Sequence, residues 1–153
     1  MDANATWTLG AIIDGKYRLC ELLARGGQGD VYAAEHVHTL ERVAFKSMNA
    51  VLAGRPELVD RMLHEARVTA ALRHPNHVAI RDCSVVDGRV YIVMELLEGR
   101  DCRAVLADDG PMSIGRALYI VNEAASGIAA AHEKRVVHRD LKPETFSFAP
   151  TTP

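Results

Sequence analysis

The segment HRDLKPET, residues 138–145, brings an acid, a base and a hydroxyl into one short stretch. Asp140, in a loop that follows a helical pattern, can accept a proton from an incoming hydroxyl. Lys142, two positions on, can neutralise charge on a transferring phosphoryl group, and Pro143 stiffens the loop. A second stretch, ARGGQGDVY at 24–32, clusters Gly26, Gly27 and Gly29. Glycines let a backbone approach a ligand closely, and the N–H groups exposed there can receive phosphate oxygens. Taken alone, the cluster serves equally as a hairpin turn with no ligand. It does not open a helix, which excludes a dinucleotide-binding fingerprint, and it lacks the Gly-Lys-Ser/Thr ending of a P-loop. A third stretch, VAFK at 43–46, puts Lys46 on one strand face beside the small Ala44, with Val43 and Phe45 on the other face. Such a lysine either points to solvent or acts as a fixed positive charge for phosphates if an acid holds it. Glu65, inside RMLHEARVTAAL, is the natural acid.

The elements that must position these residues follow from periodicity. Residues 17–25 and 30–36 flank the glycines as two strands, 42–48 form a third, and 88–95 form another whose hairpin partner is HVAIRDCSVV across Asp87-Gly88. A helix over about 55–72 starts at Pro56 and ends at the His74-Pro75-Asn76 break. A second helix spans 113–133, with Ser113 as N-cap and Ile114, Leu118, Val121, Ala125 and Ile128 along one face. The order is strand-rich with one inserted helix, then purely helical. That is an α+β pattern with two unlike halves.

Composition sets the outer bounds. The chain has 153 residues, 48% of them apolar, and a formal charge of −2. It can build a core, and its charge disfavours nucleic acid as the main partner. The basic residues Arg55, Arg61, His64, Arg67, Arg73, His74, His77 and Arg81 read as the solvated face and exit of a helix. Cys20, Cys83 and Cys102 are odd in number and widely spaced, which suits free thiols in a reducing cytoplasm better than a disulfide framework. No C-x-x-C accompanies His36 and His38 or His74 and His77, so these are not expected to hold a metal. No run approaches membrane-spanning length, and the N-terminus has no secretory pattern. A soluble cytoplasmic chain is expected.

In order, the glycine-rich strand–turn–strand, V-A-x-K, a helix with a central Glu and H-R-D-L-K resemble the signature set of the protein kinase superfamily. LRHPN and YIVMELLEG add to the resemblance, which covers about residues 17–148. The L-K-P-E wording and the glycine-loop texture look most like bacterial eukaryotic-like serine/threonine kinases. The resemblance implies a kinase-like fold, with an N-terminal extension at 1–16, an N-lobe at 17–95, and a hinge with partial C-lobe at 96–153. It also implies ATP and Mg2+ as cofactors and a protein substrate. ATP would meet Ala24, Gly26, Gly27 and Gly29 in the loop, the apolar walls Val31 and Ala44, and Lys46 held by Glu65. Met94 would be the gatekeeper, and the backbone of Glu95 and Leu97 would hold the adenine edge. Asp140 and Lys142 would be catalytic.

Three departures qualify this. Ala24 stands at the first loop glycine. Thr145 stands where the family has an Asn that binds magnesium; its hydroxyl is an oxygen ligand but a shorter one. No D-F-G occurs, so the chain reads as a kinase domain cut after the catalytic loop. The alternative is a non-catalytic module that binds nucleotide or protein. In either case the 113–133 stripe is expected to be poorly covered and to favour self-association.

Overall fold

The computed structural model describes residues 7–27, 29–48, 56–138 and 140–148. Gln28, Arg55, Arg139 and residues 149–153, all within segments interpreted above, lie outside that set. The chain divides into two compact units, Met1–Ala71 with Val78–Leu96, and Leu72–His77 with Leu97–Pro153.

Among the described residues, the first unit holds a six-stranded antiparallel sheet. Its strands are β1 (Ile12–Ile13), β2 (Tyr17–Gly26), β3 (Gly29–His36), β4 (Arg42–Met48), β5 (Ile80–Val86) and β6 (Arg89–Glu95), in the order β1-β2-β3-β4-β6-β5. Helix α1 (Pro56–Ala70) is inserted between β4 and β5 and packs along β5 and β6. The β5–β6 hairpin turns at Asp87 (φ 49°) and Gly88 (φ 72°). Two successive positive φ values match the right-handed twist of the strands, which is why Asp-Gly occupies the turn. The β5 strand begins at Ile80, later than the expected 77, because residues 72–77 belong to the second unit.

Alternation separates two sheet faces. The rear face buries Leu19, Tyr32, Val43, Phe45, Tyr91 and Val93, each at most 2% exposed. Phe45 and Tyr91 stack at 4.8 Å, and Tyr17 meets both edge-on or tilted. Full burial of each such side chain contributes about 1.5–3 kcal/mol. Residues 7–16, set apart above as an extension, pack here. Trp7 meets Phe45 edge-on at 5.3 Å, and β1 pairs with β2.

Asp14 fastens this segment. Its carboxylate accepts from the Tyr91 hydroxyl at 2.7 Å and pairs with Lys16 at 3.1 Å; Lys16 reaches Asp82 at 3.5 Å, and Asp82 accepts from Tyr17. Burial and the neighbouring Asp82 push the Tyr17 phenol up to about 12, so it stays a donor. The Tyr91 and Lys16 hydrogen bonds hold the Asp14 carboxyl below its ordinary value of 3.8. A depressed carboxyl stabilises the fold above its unfolded pKa, and that contribution is lost as pH falls through the lower folded value. Urea midpoints measured from about pH 5 down to pH 2.5 should therefore fall less steeply below pH 4 in Asp14→Asn than in the parent chain. Parallel curves would show that Asp14 takes no part.

The second unit contains β7 (Arg100–Asp101), α2 (Cys102–Asp109), α3 (Ile114–Glu133), a short 3-10 turn (Pro143–Thr145) and β8 (Ser147–Phe148). A purely helical second half was expected above, but β7 and β8 form a two-stranded ribbon there. The Asp101 side chain caps α2 by accepting from the Ala104 N–H at 2.7 Å, and Ser113 caps α3 at the Arg116 N–H. The packed face of α3 is its small one, with Gly127 and Ala131 buried. Residues 72–77 dock there. Asn76 donates to the Glu123 carbonyl at 2.7 Å and to its carboxylate at 3.0 Å, and a Cβ on Gly127 would lie 3.3 Å from His77 Nε2. The larger stripe faces outward, with Ile114 81%, Leu118 65% and Val121 63% exposed. No helix among the described residues is long and apolar enough to cross a membrane.

Candidate functional site

The glycine turn joins β2 to β3, and its glycines differ in role. A Cβ on Gly29 would sit 1.8 Å from the Ser47 carbonyl oxygen, at φ +142°. Gly29 is therefore demanded by the approach of β3 to β4. A Cβ on Gly27 would meet nothing within 4 Å, and one on Gly26 would make ordinary contact. Beyond the turn, the register sets Ala24 opposite Val31, Val31 opposite Lys46, and Ala44 opposite Met94. Residues directly opposite in an antiparallel pair share a face. Ala24, Val31, Ala44, Lys46 and Met94 thus line the front face of the sheet, opposite the aromatic core. The small Ala24 and Ala44 leave that face flat around the lysine.

Burial pushes the Lys46 ammonium below its ordinary pKa, because the charged form loses hydration. An anion placed there would offset that cost. Glu65 on α1 pairs with Arg61 one turn earlier, at 3.2 Å, and both side chains are more than 60% exposed. At the end of β6, Glu95 spends its N–H on the Ala79 carbonyl and its carboxylate on the Ala79 N–H, both at 2.9 Å. Any ligand bond at residue 95 therefore falls to its carbonyl. Leu97, 43% exposed, belongs to the second unit.

In the second unit, residues 140–145 form a closed loop. Lys142 Nζ donates to Asp140 Oδ2 at 2.8 Å. This bond holds the exposed Asp140 carboxyl below its ordinary range and raises the lysine. Thr145 Oγ1 donates to the Asp140 carbonyl at 3.2 Å and accepts from the Lys142 N–H at 3.3 Å. Glu144 pairs with Arg103 of α2, and the Cys102 N–H donates to the Phe146 carbonyl. The loop is thus tied to α2 on one side and to the β7–β8 ribbon on the other. It presents an ionised carboxylate beside a hydrogen-bonded ammonium, a pair suited to orienting a hydroxyl and screening a phosphoryl group. Thr145, considered above as a metal ligand, has its hydroxyl engaged by backbone. Among the described residues no group of three His, Cys, Asp or Glu could hold a metal. The described residues do not by themselves make a magnesium site. Sequence reasoning did not anticipate the Arg103–Glu144 tie, which joins residues 41 positions apart with no periodic signal.

The protein kinase domain model matches residues 17–149. The chain belongs to the protein kinase family. It is 43% identical over 132 residues to the serine/threonine-protein kinase PknH of Mycobacterium tuberculosis, a match covering 86% of this chain and 21% of the relative. PknE of the same organism is 42% identical over 86% of the chain and 23% of its own length, and the kinase pkn2 of Myxococcus xanthus 39% identical over 87% and 16%. Among solved structures, the kinase domain of M. tuberculosis PknI superposes with a TM-score of 0.81 at 27% identity, covering 95% of this chain and 60% of that one. This kinase chain therefore spans about a fifth of the length of its curated mycobacterial relatives, and its fold is the protein-kinase-like α+β fold.

Proposed function

We propose that the chain carries the nucleotide-binding lobe and catalytic loop of a serine/threonine protein kinase, whose complete domain transfers the γ-phosphoryl group of ATP to protein hydroxyls in the cytoplasm. The observation that carries this is the shared front face of Ala24, Val31, Ala44, Lys46 and Met94, set beside a family match over residues 17–149. In this reading Lys46 takes the α/β-phosphates, and the turn at Gly26–Gly29 covers them. Glu65 exchanges Arg61 for Lys46. The carbonyl of Glu95 and the backbone of Leu97 hold the adenine edge. Asp140 orients the acceptor hydroxyl, and Lys142 neutralises the transferred group.

The engaged hydroxyl of Thr145 favours a second reading for the 153-residue chain itself, as a non-catalytic module that binds nucleotide or protein. One assay asks whether the 153-residue chain transfers phosphate by itself. Labelled ATP, magnesium or manganese and a basic protein acceptor are expected to give no incorporation above an Asp140→Asn control, since the sequence holds no D-F-G and no magnesium site is formed among the described residues. Incorporation that depends on Asp140 would show that this chain is a competent kinase.

A further inference from the structure

The β5–β6 ladder stops one rung short, and the side chain of Glu95 is the reason. Ile80 pairs with Met94, and the next rung would join Ala79 to Glu95. In an antiparallel rung of this kind the two residues exchange both of their N–H···O bonds. Here only one is exchanged. The Glu95 N–H donates to the Ala79 carbonyl at 2.9 Å, but the Ala79 N–H donates to Glu95 Oε1, also at 2.9 Å. The carboxylate thus stands where the residue's own carbonyl would complete the ladder. Across β4, Glu95 lies opposite Val43, which turns its side chain to the rear face; from there the carboxylate reaches the Ala79 N–H at the end of the strand.

We propose that Glu95 is a positioning residue: its carboxylate draws the Ala79 N–H away from the Glu95 carbonyl and leaves that carbonyl as the acceptor for the 6-amino group of an adenine nucleotide. This rests on the reading of the front face as a nucleotide site. The N–H and C=O of one strand residue point to the same neighbour, so a completed ladder would aim the residue-95 carbonyl at Ala79 and engage it there. A ligand amine would then have to share an acceptor already in use. With the Ala79 N–H answered by the side chain instead, no backbone donor is left orphaned when the carbonyl turns to a ligand. The N–H of residue 95 is itself spent on Ala79, so this position offers a base edge an acceptor and no donor.

The test is NMR-detected titration of ATP and of purine riboside triphosphate, which has hydrogen in place of the 6-amino group, into the 153-residue chain, Glu95→Ala and Glu95→Gln. In Glu95→Ala the Ala79 N–H is expected to turn to the residue-95 carbonyl, weakening ATP about three- to tenfold, the worth of one hydrogen bond, with the analogue that lacks the amine unchanged. Glu95→Gln keeps a side-chain acceptor and should bind both ligands as the parent does. Amide exchange at Ala79 should stay slow in all three proteins, because its N–H keeps a partner in each. Loosening of the strand end would instead speed that exchange and weaken both ligands alike. Equal weakening of the two ligands, an ATP affinity that Glu95→Ala leaves unchanged, weakening of ATP by Glu95→Gln as large as by Glu95→Ala, or fast Ala79 exchange in Glu95→Ala would each overturn the positioning role and leave the nucleotide site standing. A parent chain that binds neither triphosphate would overturn the nucleotide site, and the role of Glu95 with it.

Discussion

Replacing Gly29 with alanine is expected to destabilise the first unit by about 2–4 kcal/mol, the scale of overpacking combined with a strained backbone. The added methyl would lie 1.8 Å from the Ser47 carbonyl oxygen and 2.9 Å from its carbonyl carbon. Both are backbone atoms of a strand held on its far side by β6, so neither can move as a side-chain tip would. The φ of +142° adds a conformation that alanine disfavours. For a chain of this size the midpoint of thermal unfolding should drop by roughly 10 °C. Gly27→Ala, where the methyl meets nothing within 4 Å, should leave it nearly unchanged. Equal midpoints for the two variants would show that β3 and β4 do not approach as described. The comparison also separates a glycine that the sheet demands from one where an added methyl meets open space.

The second large effect concerns α3. Ile114, Leu118 and Val121 are each more than 60% exposed, and Tyr119 beside them is 67% exposed. Three large aliphatic side chains left in water forfeit about 1.5–3 kcal/mol each, comparable to a domain's whole margin of about 5–15 kcal/mol. The 153-residue chain is therefore expected to self-associate in the micromolar range, about 8 kcal/mol, through this face. Leu118→Lys/Val121→Lys should yield a monomer in sedimentation velocity without loss of helix content. Hydrogen exchange should be faster through 113–133 than in β4 and β6, where Phe45, Tyr91 and Val93 are fully buried. A parent chain that remains monomeric at high concentration, with slow exchange through α3, would contradict this.

Much of the first unit was legible because its signals are local. Alternation places β4 at 42–48, and Asp-Gly requires the turn that joins β5 to β6. The same alternation placed Ala44 and Lys46 on one face before any register was known. Other features depended on tertiary contacts. The segment 7–16 has too short an apolar pattern to announce a role, yet Trp7 and Asp14 find partners 38 and 77 residues away, in Phe45 and Tyr91. Helix α2 left signals that went unweighed, an Asp101 cap and a Gly110-Pro111 stop. The α3 periodicity identified the helix, but packing chose the smaller face of Gly127 and Ala131. Glu65 has a cation four residues before it, and the i,i+4 geometry of a helix makes Arg61 its nearest partner. Thr145 could be compared with an asparagine by position, but only the closed loop shows its hydroxyl engaged at both Asp140 and Lys142.

If the front face around Lys46 is a nucleotide site, ATP must bind there and Lys46 must contribute to its affinity. Calorimetric titration of ATP into the 153-residue chain and into Lys46→Ala tests it most directly. The expected result is weak binding, in the high-micromolar to millimolar range or about 4–6 kcal/mol, with little dependence on magnesium and a loss of at least fivefold in Lys46→Ala, about 1 kcal/mol. ATP binding that Lys46→Ala leaves untouched, or no binding by the parent chain, would contradict the claim.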